Sequence, residues 1–426
     1  MTHATAHHAP NLLVPKLFTI LRQGYHFDDF RHDALAGLTV AIVALPLAMA
    51  LAIASGTTPD KGLITAIVAG LIISALGGSR VQIGGPTGAF VVVVFNIIQQ
   101  FGYNGMIVAT LMAGFMLVAA GLLGLGTYVK YIPQSVIKGF TAGIAIIIAT
   151  SQVGTFMGLT VAHEPGDPIG KWQAYFAAIG TMQPMAVALG VLTFGVIVGY
   201  AKYLPKWPGF LLAVSMSSLF ALALHLQIPT IGSRFGGIPH ELPMPSLPHA
   251  TWEQMRLLFP SALTIAVLAG IESLLSAVVA DGMIGRQHRS NCELVAQGVA
   301  NAASALFGGL PATGAIARTA ANIRSGARSP VAGIMHAVWL LAIMLAAAPL
   351  ASYVPLTSLA AVLFIVAWNM SEARHLPGYL RHASHRDRIV LAVTFALTVL
   401  IDLSVAIGVG IALSAVMGRG RKQRHI

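Results

Sequence analysis

Stretches of about twenty apolar residues recur along this 426-residue chain, and they leave few folds open to it. Residues 105–129, for example, contain no charged side chain. A helix of ~20 apolar residues crosses the ~30 Å hydrocarbon core of a bilayer. Only 9% of the residues are charged, against about 25% in a soluble domain. The fold class is therefore all-α and polytopic, with many helices in one membrane unit rather than several soluble domains. The first fifteen residues are polar and His-rich without an apolar core, so they are not a signal peptide. Cys292 is the only cysteine, which excludes an intrachain disulfide and a cysteine-based metal site. Neither a metal nor a cofactor is expected.

Fourteen apolar segments can be placed. They cover residues 34–54, 62–77, 87–101, 105–125, 135–155, 184–200, 209–226, 260–280, 292–306, 313–325, 330–350, 356–369, 387–401 and 403–416. The formal charge of +11 would suit a nucleic-acid partner if it were clustered. Instead the basic residues sit in short loops between apolar runs. With the N-terminus inside, twenty of the 25 Lys and Arg fall in loops on the inner side and four on the outer, and Arg318 stays in the membrane. That asymmetry follows the positive-inside rule. A missed span would invert every later loop, so the count is even and both termini are expected in the cytoplasm, at the cell membrane. Nucleic acid is not expected as a partner.

A polar, Pro-rich stretch at 227–257 divides the chain into segments one to seven (33–226) and eight to fourteen (258–417). The flanks are a cytoplasmic N-terminal segment, 1–32, and a basic cytoplasmic tail, 418–426. An odd number of spans on each side makes the halves inverted repeats. A weak internal match agrees in order: Ser74-Ala75-Leu76 then Gly77-Gly78, and Ser304-Ala305-Leu306 then Gly308-Gly309. Each run leads into a Gly/Pro break, Gly84-Gly85-Pro86-Thr87-Gly88-Ala89-Phe90 in the first half and Leu310-Pro311-Ala312-Thr313-Gly314-Ala315-Ile316-Ala317-Arg318 in the second. The Thr-Gly-Ala triplets lie 226 residues apart. Paired breaks of this kind point to a transporter binding site.

The segments after the breaks are short: 15 residues from Thr87, roughly 22 Å as helix, and 13 from Thr313, roughly 20 Å. Neither spans the bilayer. Their irregular backbone must be buried in protein, so two half-helices are expected to start near the midplane and face a common centre. Helix starts carry unpaired N–H groups and positive dipole ends, which favour an anion. The candidate substrate contacts are Thr87, Gly88, Ala89, Phe90, Thr313, Gly314, Ala315, Ile316, Ala317 and Arg318. Phe90 reads equally as a core aromatic or a ligand-facing one. Arg318 reads as an anion-attracting charge, with an ion pair to Glu272 or snorkelling as the bland alternative. Glu272 lies in segment eight, and the 226-residue offset maps it to Pro46 in segment one. A carboxylate in low dielectric can exchange a proton near neutral pH. Proton carrier, cation ligand and structural partner of Arg318 are its competing readings. His336 and His225 read as satisfied helix residues, and Asp402 as a turn residue.

These residues together resemble the sulfate permease family of anion transporters. The resemblance runs over about 33–416. It includes Asp33-Ala34-Leu35-Ala36-Gly37-Leu38-Thr39, Ala44-Leu45-Pro46, Gly77-Gly78-Ser79-Arg80, Ile271-Glu272-Ser273-Leu274-Leu275-Ser276 and the 311–322 stretch. It implies seven plus seven inverted spans. A core domain (spans one to four and eight to eleven) would hold the anion between the third and tenth helix starts. A gate domain would supply the surface for motion and homodimer contacts. It also implies that Ala44 and Pro46 line the site, with Ala44 where many members place glutamine. Members usually carry a cytoplasmic STAS domain after the last span, which is not expected in these 426 residues. The expected activity is alternating-access, proton-coupled symport of a small anion such as sulfate, bicarbonate or a dicarboxylate. An uncoupled exchanger or channel and a nucleobase permease are the alternatives. The chain has no H-E-x-x-H or G-x-S-x-G motif, and an enzyme is not expected.

Overall fold

A computed structural model describes residues 13–131, 133–162, 164–205, 207–239, 241–401 and 403–419. Asp402 and the tail from residue 420 lie outside the described residues, as do residues 1–12 of the N-terminal segment. The first half contains α1 (Lys16–Gln23), α2 (Phe27–Ala54), α3 (Pro59–Leu76), β1 (Gly84–Gly85), α4 (Ala89–Leu122), α5 (Gln134–Phe156), α6 (Pro168–Ala177), α7 (Pro184–Tyr203) and α8 (Gly209–Ala223). After the short α9 (Ile231–Phe235) come α10 (Trp252–Ile284), α11 (Ser290–Leu306), β2 (Thr313–Gly314), α12 (Ile316–Arg324) and α13 (Val331–Ala351). The chain ends with α14 (Leu356–Met370), α15 (Leu376–His382), α16 (His385–Leu400) and α17 (Leu403–Arg419). Seven of these are long and apolar enough to cross a membrane, and shorter apolar helices include Gly209–Ala223 and Leu356–Met370. The chain is an all-α, multi-pass membrane protein.

The helices pack in two groups. In one, α4 lies against α10 and α11, α13 against α2 and α3, and α12 against α10. In the other, α5 lies against α14, α16 and α17, and α7 against α8 and α14. The first group packs tightly through small residues. Gly62 of α3 faces the Ala48 carbonyl of α2, and Gly114 of α4 and Gly298 of α11 each abut the other's backbone. Without Cβ atoms the helix backbones approach closely, the packing mode available where hydrophobic burial alone does not drive helix association.

Two boundaries differ from the sequence reading and one agrees with it. Segments three and four are separate helices within the span 89–122, divided by a non-helical break at Gly102 (φ 72°, ψ 178°). Glycine tolerates this left-handed conformation and turns the chain in a single residue. Helix α10 begins at Trp252, inside the expected hinge, because Thr251 and Gln254 form a reciprocal capping box there. Finally, the residues after each Gly/Pro break are not yet helical. Thr313 and Gly314 form β2, which pairs antiparallel with β1, Gly84 opposite Gly314 and Gly85 opposite Thr313.

Candidate functional site

The strand pair answers where the backbone groups of the two breaks go. Around it, side chains from neighbouring helices complete the accounting. Asn301 of α11 both accepts from Ala312 N–H (2.8 Å) and donates to Ala312 C=O (2.9 Å). Thr65 of α3 accepts from Leu310 N–H at 2.6 Å, and Ser304 donates to Leu310 C=O at 2.7 Å. Ser273 of α10 accepts from Gly314 N–H, and Thr319 of α12 from Ile83 N–H, each at 3.0 Å. Irregular backbone at membrane depth is stable only with such partners.

Helices α4 and α12 therefore start at Ala89 and Ile316, with Gly88 and Ala315 at their N-caps and no capping side chain on either. Their first-turn N–H groups are not taken by a cap. Of the predicted contacts, Gly88, Ala89, Phe90, Thr313, Gly314, Ala315 and Arg318 are buried, Thr87 is half-buried, and Ile316 and Ala317 are exposed. Gly88 packs against Met370 of α14 and Ile148 of α5, so it lies where the two helix groups touch.

Glu272 of α10 sits between the two breaks. Thr87 Oγ1 donates to Glu272 Oε2 at 3.0 Å. Thr313 Oγ1 lies 3.5 Å from the same oxygen and donates more closely, at 2.8 Å, to the Gly314 carbonyl. The carboxylate also lines a cavity of ≈ 220 Å³ between α10 and α5, with Ile316 beside it and Lys138 and Glu372 on its walls. Those two partly exposed residues form an ion pair. The sequence reading missed them. Their only signal was position at the ends of segments five and twelve, in loops already counted as ordinary basic loops.

Arg318 is 3% exposed and makes no ion pair with Glu272 among the described residues. Its Nη2 donates to the Pro86 carbonyl, and its Nη1 lies against Gly85 with no hydrogen-bond partner. The guanidinium thus braces the backbone at Gly85 and Pro86. Ala44 and Pro46, expected to line the site, are buried in α2 and are not among the residues around this cavity. His336 is buried in α13, and neither ring nitrogen has a hydrogen-bond partner, so it is not a satisfied helix residue. His225 lies past the end of α8 with φ 47° rather than inside a helix.

Two further carboxylates prove to be anchors. Glu293 of α11, fully buried, accepts from Gly78 N–H (2.9 Å), Ser79 N–H (3.0 Å) and Gln297 Nε2 (2.9 Å). Asp33 of α2 accepts from Arg328 N–H (2.7 Å), Ser329 N–H (3.1 Å), the Ser329 hydroxyl and Tyr25 OH (2.8 Å). They hold the loop before β1 and the loop after α12, so the two breaks are positioned from both ends.

Comparison with known proteins places this geometry in context. Residues 30–394 match the profile of the sulfate permease family. YvdB of Bacillus subtilis, provisionally named a sulfate transporter, is 48% identical over 92% of this chain and 74% of its own length. The bicarbonate transporter BicA of Synechocystis is 34% identical over 92% of this chain and 70% of its own. The solved transmembrane domain of a cyanobacterial BicA superposes with a TM-score of 0.80 over 90% of this chain and 99% of that one. The murine Slc26a9 anion transporter in its inward-facing state shares the fold at 18% identity, with a TM-score of 0.86 over 99% of this chain and 74% of that one.

Proposed function

The chain belongs to the sulfate permease family, and from that premise we propose that it is a secondary active transporter of small anions working by proton-coupled symport. The substrate class is sulfate, bicarbonate or a dicarboxylate such as fumarate; relatives named for sulfate and for bicarbonate support the first two. In this reading fourteen spans form two inverted sets of seven, 33–226 and 258–417, joined by 227–257. The group around α4 and α10 is the core, and the group around α5 and α14 is the gate. Both termini are cytoplasmic, the location is the cell membrane, and the gate supplies homodimer contacts. The anion lies between the starts of α4 and α12, near Thr87, Gly88, Ala89, Phe90 and Thr313 to Ala317, under the field of Arg318. Core and gate move against one another around it.

The observation that carries the reading is the placement of Glu272. Its carboxyl group meets hydroxyls from both breaks and opens onto a cavity. An ionised carboxylate about 5 Å from a bound anion opposes it by about 3 kcal/mol at an effective dielectric of ~20. Protonation removes that repulsion, so proton and anion bind together. The neutral hydroxyls leave the carboxyl free to exchange its proton, whereas an ion pair would hold it charged.

The test is uptake into proteoliposomes of labelled sulfate, bicarbonate, chloride and fumarate, with and without an inward proton gradient. One pH unit is worth 1.36 kcal/mol per proton, enough for about tenfold accumulation of an anion coupled one to one. Symport predicts gradient-driven accumulation that Glu272→Gln abolishes while downhill flux persists. Flux that ignores the gradient and survives Glu272→Gln would leave an exchanger or channel.

A further inference from the structure

A second crevice shares no lining residue with the cavity beside Glu272. It encloses ≈ 770 Å³ where α2 of the first helix group faces α7, α8 and α14 of the second. Its inner walls are apolar, with Val43 of α2, Ile197 of α7, Phe210 of α8 and Ile365 of α14. Its rim is different. Lys202 and Arg374 stand there with the indoles of Trp207 and Trp368, 59% and 54% exposed. No carboxylate lines the crevice among the described residues. Glu372, two residues from Arg374, is already paired with Lys138. Neither Lys202 nor Arg374 forms an ion pair among the described residues. Phe194 and Val198 of α7, which line the crevice, are exposed.

We propose that this crevice binds one anionic glycerophospholipid, with an acyl chain between α2 and α7 and the phosphate between Lys202 and Arg374. Four features converge on that ligand. The inner walls take hydrocarbon and offer a headgroup nothing to bond. The two unpaired cations lie at helix C-terminal ends, Lys202 in the last turn of α7 and Arg374 just past α14, on the inner side in the proposed topology. Exposed indoles are the side chains that sit at the headgroup boundary. Juxtamembrane basic residues attract anionic lipid at about 1 kcal/mol each. A soluble phosphate would use the rim alone and leave the apolar walls uncovered. The lipid would touch both helix groups, so its occupancy would bear on their relative position. That consequence rests on the proposed transport motion, but the binding does not.

The test is native mass spectrometry of the purified chain in non-ionic detergent, titrated with phosphatidylglycerol or phosphatidylcholine. One phosphatidylglycerol per chain should persist under activation that strips phosphatidylcholine. Lys202→Gln with Arg374→Gln should weaken phosphatidylglycerol binding about 30-fold, two charges at about 1 kcal/mol each. Arg324→Gln, an exposed basic residue outside the crevice, should leave it within about twofold. Val198→Trp, which adds bulk to the apolar wall of α7, should weaken phosphatidylglycerol binding without touching the rim. Equal retention of the two lipids, unchanged affinity in the double variant, or displacement by equimolar inorganic phosphate would each overturn the proposal. None of these outcomes depends on transport activity, so failure here is distinct from failure of symport.

Discussion

Gly85 and Arg318 form a pair whose coupling can be measured. Gly85 has φ +150°, a conformation that side chains rarely adopt, and a Cβ there would sit 2.5 Å from Arg318 Nη1 and 3.4 Å from Ala66 Cα. Gly85→Ala therefore carries two costs. Backbone strain contributes about 1–3 kcal/mol. Displacing the guanidinium from the Pro86 carbonyl forfeits a charge-assisted hydrogen bond worth about 1.5–3 kcal/mol. Arg318→Ala alone loses that same bond. In the double variant the bond is already gone and the clash with Nη1 is relieved, so only the strain is added. The double variant should then be less destabilised than the sum of the singles by about 1.5–3 kcal/mol. Equilibrium unfolding by SDS in mixed micelles gives all four corners of the cycle. Additivity within about 0.5 kcal/mol, the behaviour of independent sites, would refute the bracing role of Arg318.

Three other perturbations follow from the packing and the charges. Gly62→Ala drives a methyl into the Ala48 backbone carbonyl and should lower the yield of folded protein sharply, whereas Gly199→Ala, with nothing within 4 Å, should be neutral or slightly stabilising; size-exclusion profiles after detergent extraction distinguish them. Lys138→Gln removes the cation on the cavity wall, so the KM for anion uptake should rise several-fold at low salt and converge on wild type as ionic strength screens the charge, with a stability change below about 1 kcal/mol because the pair with Glu372 is partly exposed. Burial, then the hydrogen bond to Asp33, pushes the Tyr25 phenol well above its ordinary value. The folded state therefore holds the phenolic proton where the unfolded chain releases it near pH 10. The stability from this contact is present below about pH 10 and lost as pH rises further, and Tyr25→Phe should show a shallower alkaline decline than wild type.

The sequence carried the membrane class because hydrocarbon thickness imposes a length on every apolar run, and 105–129 or 330–350 cannot be read otherwise. It also carried the special status of the two breaks, since Gly84-Gly85-Pro86 and Gly308 to Pro311 cannot continue a helix. What the breaks become was not legible. Two-residue strands have no periodicity to detect, and β1 finds its partner 230 residues away, Gly84 opposite Gly314. The pairing is settled by the need to bond buried backbone groups, a three-dimensional condition that Asn301, Thr65 and Ser273 meet from three different helices. The capping box at Thr251 and Gln254 was readable in principle, but it lay inside a Pro-rich stretch and was read as hinge. Asp33 was noticed only as a family-like residue and the anchoring role of Glu293 was not legible, because much of what they bond is backbone, and backbone leaves no signature in side-chain identity.

The most informative departure concerns the two charges at the centre. A lone Arg and a lone Glu inside a membrane invite an ion pair, the bland reading of both. They are instead bonded separately, Arg318 to the neutral Pro86 carbonyl and Glu272 to the neutral Thr87 hydroxyl. A direct pair would fix both groups in their charged forms and cancel the field that each projects. Bonded to neutral partners across the strand pair, the guanidinium keeps its full positive charge close to the starts of α4 and α12. The carboxyl keeps the choice between its two protonation states. Breaking a charge pair is costly only when one partner is left without compensation. Here Arg318 Nη1 is buried with no acceptor. That leaves an unanswered positive charge beside helix starts that no side chain caps. In the proposed symport, an arriving anion supplies the missing negative charge and protonation of Glu272 lets it stay.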